Sequence, residues 1–157
     1  MAQAIVNPLI DNGEIIPENI SCVVASKKSV QKILDENCKD LNVITADDSL
    51  QEQAWRAPIQ LLAIKPQHLN LVAKQAKRFS LEDLPEKPLM VSVLAGVSLQ
   101  SLKNAFPCHY CVRAVPNTPS LVGAGLTAIA WTEEITSNQK EVVKGFFSAT
   151  SEVFDLP

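Results

Sequence analysis

The chain has 157 residues, 46% of them hydrophobic and 20% charged, and carries a net charge of −3. That length and balance suit one globular domain with a sizeable core and exclude a disordered segment. The small net charge offers no basic footprint for nucleic acid or an anionic membrane surface. No apolar run approaches the roughly 20 residues a bilayer span needs.

The opening MAQAIVNPLIDNGE has no positively charged leader region, so a cytoplasmic location is expected. Ile5, Val6, Leu9 and Ile10 fall at helical spacing and predict a helix over Ala2–Ile10, stopped by Asn12-Gly13. ISCVVA (Ile20–Ala25) reads as a strand, and Ser26 then caps a helix over Lys27–Asn37 with Val30, Ile33 and Leu34 inward. Strands follow at Asn42–Thr45 and Ile59–Ile64, and Pro66 suits the first turn of a helix over Gln67–Arg78. Leu89–Ala95 reads as a strand, Ser98 caps a short helix over Leu99–Phe106, and Tyr110–Val115 is the next strand. Leu126–Trp131 follows a glycine-rich turn. Val142, Val143, Phe146 and Phe147 mark a helix over Ser137–Ser148, and SEVFDLP closes the chain as a strand. Alternating strands and helices of this kind imply βα units on a parallel sheet. The strands are apolar enough to suit burial on both faces.

The cysteines are Cys22, Cys38, Cys108 and Cys111. One C-x-x-C pair cannot close a tetrahedral zinc site, and PCHYC opens onto the apolar run HYCVRAV. Reduced packing cysteines and no metal are expected.

Three strand ends carry the candidate chemistry: Ala63-Ile64-Lys65-Pro66, Leu94-Ala95-Gly96 and Val115-Pro116-Asn117-Thr118-Pro119. Ligands of open α/β sheets bind outside the carboxyl ends of the strands, so these ends should converge on one crevice. Gly96 allows close approach of the backbone to a flat ring or ribose. Asn117 and Thr118 offer a stiffly held amide and hydroxyl between two prolines. Taken singly, each is an ordinary βα loop; their order and spacing make them a site.

LLAIKP (Leu61–Pro66), SVLAGVSL (Ser92–Leu99) and VRAVPNTPSLVGAG (Val112–Gly125), in that order, resemble the motifs of the pyrroline-5-carboxylate reductase family. Val115 departs from the methionine usual there. The resemblance implies a Rossmann-like parallel sheet flanked by helices, an α/β fold incomplete at the N-terminus, with residues 1–157 forming a single nucleotide-binding domain. In the family a strand and a glycine-rich loop come directly before the segment matching Met1–Ile5, and an all-helical dimerisation domain follows the segment matching VFDLP. Without that domain, the family's oligomerisation is not expected of this chain.

The resemblance further implies reduction of 1-pyrroline-5-carboxylate to proline, with NADP as cofactor and NAD as an alternative. Ala63, Ile64, Lys65, Pro66, Leu94, Ala95 and Gly96 are the implied cofactor contacts, together with Ser26 near the adenosine ribose. Lys27 beside it suits a 2′-phosphate. Asn117 and Thr118 are the implied substrate contacts. No catalytic residue is implied within the chain, and His68 and His109 read as surface or core side chains. The expected partner is a small-molecule substrate rather than nucleic acid or membrane. Two readings stay open: a reductase portion with little activity alone, and a non-catalytic nucleotide-binding or interaction module derived from it.

Overall fold

A computed structural model describes residues 1–36, 41–117 and 125–156. In chain order the elements are α1 (Ala2–Asp11), β1 (Ser21–Val24), α2 (Lys27–Glu36), β2 (Asn42–Thr45), α3 (Gln51–Trp55), β3 (Ile59–Leu62), α4 (Leu69–Ala76), β4 (Leu89–Ser92), α5 (Leu99–Ala105), β5 (Tyr110–Pro116), β6 (Gly125–Trp131), α6 (Ser137–Ser148) and β7 (Ser151–Asp155). Local chemistry sets several of the boundaries. Ser26 Oγ accepts from Ser29 N at 3.2 Å, and Ser98 Oγ accepts from Ser101 N at 3.1 Å. Thr136 and Gln139 form a reciprocal capping box at the start of α6. Pro66 opens a short 3-10 turn, Pro66–His68, that runs into α4.

The mostly parallel sheet and flanking helices match the expected Rossmann-type architecture, with one correction. Strands β3-β4-β5-β6-β7 form one sheet in that order, but β6 runs antiparallel to β5, with Ala114 opposite Ile129. A parallel neighbour needs a crossover of a dozen or more residues, and only eight residues, 117–124, lie between the two strands. Burial of β6 correspondingly alternates along much of its length instead of being complete on both faces. As the expected incompleteness of the sheet implies, β1 and β2 pair with each other and, among the described residues, with no third strand. The sheet is therefore in two parts, and among the described residues β1 and β3 each keep one edge without a partner strand.

The core lies on both faces of the larger sheet. On one, α1 and α6 deliver Ile5, Val143 and Phe147 onto Leu89, Val91, Val112, Ala114 and Ile129. On the other, α4 and α5 deliver Ala73, Ala76 and Leu102 onto Leu62, Met90 and Cys111. Adjacent residues of β4 and β5 serve opposite clusters, as the period of two along a strand requires. Strand β4 is buried at every position, so the middle of this sheet is the rigid platform for whatever its ends carry.

Candidate functional site at the strand ends

Register places the candidate loops side by side. Leu62 pairs with Ser92 and Ser92 with Arg113 on parallel strands. Ala63–Pro66, Val93–Gly96 and Ala114–Asn117 therefore leave the platform at one edge, the carboxyl end of β3, β4 and β5. Ala63, Lys65 and Pro66 are exposed there, while Ile64 packs partly onto the core. Leu94 turns inward and is buried beside Leu102 and Phe106, leaving Ala95 and Gly96 exposed.

Gly96 has φ +72°, the left-handed region that side chains disfavour, and a Cβ there would meet nothing within 4 Å. The turn, not crowding, requires glycine. Asn117 is held from two sides: its N–H donates to Leu126 O at 3.1 Å, and its Oδ1 accepts from Leu126 N at 2.9 Å. It pins the start of β6 to the end of β5. Thr118 lies outside the described residues. Ser26 and Lys27 are exposed at the end of β1, in the smaller sheet, with the Ser26 hydroxyl 3.0 Å from that of Ser29.

Sequence reasoning missed a buried polar centre at the amino end of β5. His109 is 7% exposed and its Nε2 lies 3.2 Å from Gln60 Oε1. Gln60 Nε2 donates to Trp55 O at 2.7 Å and Ala57 O at 3.2 Å, so its Oε1 is the acceptor and His109 donates from Nε2. Burial pushes the imidazole down to about 4, so it is neutral at pH 7. His68, in contrast, is exposed. The signal available in the sequence was the Gln60 amide in an otherwise apolar strand.

Burial pushes the Cys111 thiol up to about 11 and raises that of Cys22, whereas Cys108 is exposed and Cys38 lies outside the described residues. Neither shifted thiol is poised as a nucleophile. Two clefts lie away from the strand ends. One, of about 470 Å³, separates α4 from α5 and is lined by Lys74, Lys77 and Asn104. The other, of about 260 Å³, lies beside His109 and Lys103.

All 157 residues align with the pyrroline-5-carboxylate reductase of Synechocystis sp. at 39% identity, over 55% of that protein. This chain is a relative of the pyrroline-5-carboxylate reductases. Its structure superposes on that of the pyrroline-5-carboxylate reductase from Coxiella burnetii with a TM-score of 0.82 and 30% identity, covering 99% of this chain and 55% of that one. The pyrroline carboxylate reductase of Plasmodium falciparum, solved with NADP bound, gives a TM-score of 0.76 at 22% identity, which supports the fold alone. It covers 99% of this chain and 53% of that one. No family model matches the chain. The chain spans about half the length of the curated pyrroline-5-carboxylate reductases it matches.

Proposed function

We propose that residues 1–157 are the nucleotide-binding portion of a cytoplasmic pyrroline-5-carboxylate reductase, which reduces 1-pyrroline-5-carboxylate to proline with NADPH or, less favourably, NADH. The observation that carries this reading is the shared edge formed by Ala63–Pro66, Leu94–Gly96 and Asn117, in a chain related to such reductases along its whole length. The residues present suit one side of a dinucleotide. Gly96 and Ala95 offer open backbone, Lys65 is exposed at the adjacent end, and Ser26 with Lys27 offers a hydroxyl and a cation at the end of β1. A bound reduced nicotinamide supplies hydride, and the protein's part is positioning. Asn117 and Thr118 border the substrate in this reading. The chain spans about half the length of the reductases it matches, so the 157-residue chain alone is expected to turn over little substrate.

Titration of the chain with NADPH and NADH, read by cofactor fluorescence, tests the proposal. Saturable NADPH binding is expected, weakened more than NADH binding by Lys27→Ala, with proline formation near background. Absence of NADPH binding up to millimolar concentration would remove both this reading and that of a nucleotide-binding module. Substantial turnover by the isolated chain would refute the assignment to a portion inactive on its own.

A further inference from the structure

The amino end of β5 carries a polar cleft at the opposite end of the strands from Ala63–Pro66 and Leu94–Gly96. His109 and Cys111 are two residues apart and so project to the same face. Thr132 N donates to Cys111 O at 3.3 Å, which sets Thr132 beside Cys111. His109 and Thr132 both line the cleft of about 260 Å³, at 7% and 4% exposure, whereas Lys87, Lys103 and Glu134 around them are exposed. The cleft thus has a buried polar floor and charged walls. Neither His109 Nδ1 nor Thr132 Oγ1 has a formed hydrogen bond among the described residues. Buried polar atoms are ordinarily paired, and leaving them unpaired is costly. His109 donates from Nε2 to Gln60 Oε1 at 3.2 Å, so its Nδ1 carries a lone pair and can only accept. A ligand reaching this floor must bring an N–H or O–H. A bare anion would set its oxygen against the Nδ1 lone pair.

The walls carry both signs of charge. Lys103 Nζ stands 4.0 Å from Glu134 Oε1, beyond hydrogen-bonding distance. Lys87 Nζ lies 5.9 Å from the centroid of the Tyr110 ring and makes no ion pair among the described residues. The Glu134 carboxylate is held below its usual range by its own backbone N–H, then by Lys103, the Thr132 hydroxyl and Lys87, so it is ionised and close to all three. We infer that this cleft binds a free α-amino acid as its zwitterion, the carboxylate taken by Lys87 and Lys103 and the ammonium donating to Glu134 and to His109 Nδ1. Each half of the ligand then meets the opposite charge, and the ammonium supplies the N–H that the imidazole lacks. The cleft is smaller than the about 300–1,000 Å³ usual for larger organic ligands, which suits a molecule of this size. The site does not depend on the nucleotide reading, because the two lie at opposite ends of the strands.

Glycine, L-alanine and L-proline, which cover primary and secondary ammonium groups, are titrated into the 157-residue chain by calorimetry. Acetate, methylammonium and inorganic phosphate are the controls. At least one amino acid should bind saturably, one per chain, and about tenfold or more tighter than any control. Glu134→Gln and Lys103→Met, both at exposed positions, should each weaken that binding by about tenfold. The nitrogen-15 resonance of His109 Nδ1 should move with the amino acid and stay in place with acetate, a readout that needs no variant. No amino-acid binding up to about 10 mM overturns the inference and leaves water as the partner of the floor atoms. Acetate or phosphate binding as tightly overturns it too, in favour of a simple anion site. So does binding that leaves the His109 resonance or both variants unaffected, or that NADPH displaces, since the amino acid then sits elsewhere. Failure of NADPH to bind would remove the nucleotide reading and leave this one standing.

Discussion

Replacing His109 by Gln should make stability less sensitive to acid, and the size of the effect follows from the structure. The native imidazole titrates at about 4 because burial disfavours its charged form, against an ordinary value of 6.5. Between those values the unfolded chain holds a proton that the folded chain does not. Stability conferred by the neutral histidine is therefore full above pH 6.5, declines as pH falls and levels off below about 4. A gap of this size corresponds to about 3 kcal/mol over the window, at most about 1.4 kcal/mol per pH unit. Glutamine stays neutral throughout and can still donate to Gln60 Oε1, so the variant removes the titration while keeping a donor. Its absolute stability should fall through lost ring contacts with Phe106 and Trp55, at centroid distances of 5.7 and 6.4 Å. The diagnostic quantity is the slope. Urea unfolding, followed by tryptophan fluorescence from about pH 7 to about pH 4.5, should give a steeper loss for the parent than for His109→Gln. Parallel pH profiles would show that the ring is not buried and neutral as described.

Two further substitutions examine the strand ends. Gly96→Ala should destabilise by about 1–2 kcal/mol through its positive φ alone, since the added Cβ meets nothing within 4 Å. Thermal unfolding measures that cost, and a loss well above it would reveal crowding absent from the structure. Asn117→Ala removes the acceptor of Leu126 N at an exposed position and should cost about 0.5–1.5 kcal/mol, whereas Asn117→Asp retains an acceptor and should recover much of it. Equal effects of the two, measured by urea unfolding, would refute a role through that hydrogen bond.

Much of the fold was legible because its signals are local and mutually consistent. Each of the seven strand positions read from the sequence corresponds to a strand, and the Ser26 and Ser98 caps form as their spacing implies. The direction of β6 was not legible, because an apolar run looks alike in either orientation and only the short connection to β5 decides it. Helix α3 escaped because five residues show little more than one helical turn. Its entrance is set by Asp48, whose carboxylate accepts from Leu50 N at 2.9 Å. At the site, the glycine turn and the order of the strand ends were readable. That Leu94 would turn into the core while its neighbours stay open required the packing of α5 against β5. Thr118 falls outside the described residues, so the structure adds nothing to its assignment.

Helix α3 also accounts for how a sheet in two parts holds together. Trp55 stacks on Phe106 with ring centroids 6.4 Å apart, and the same helix lies against β1. The Gln60 amide ties the Trp55 and Ala57 carbonyls to β3, and His109 fixes that amide from the next layer. The helix and this hydrogen-bond chain thus bridge the smaller sheet and the larger one without a strand between them. Each link is a single hydrogen bond or ring contact, worth about 0.5–1.5 kcal/mol net. A continuous ladder between β1 and β3 would supply several such bonds together with apolar burial. The bridge can therefore set the relative placement of the two edges, but it contributes less rigidity than a strand would. Ser26 and Lys27 stand on the smaller sheet and Ala63–Gly96 on the larger. Any ligand spanning both must therefore draw on the stiffness of this bridge.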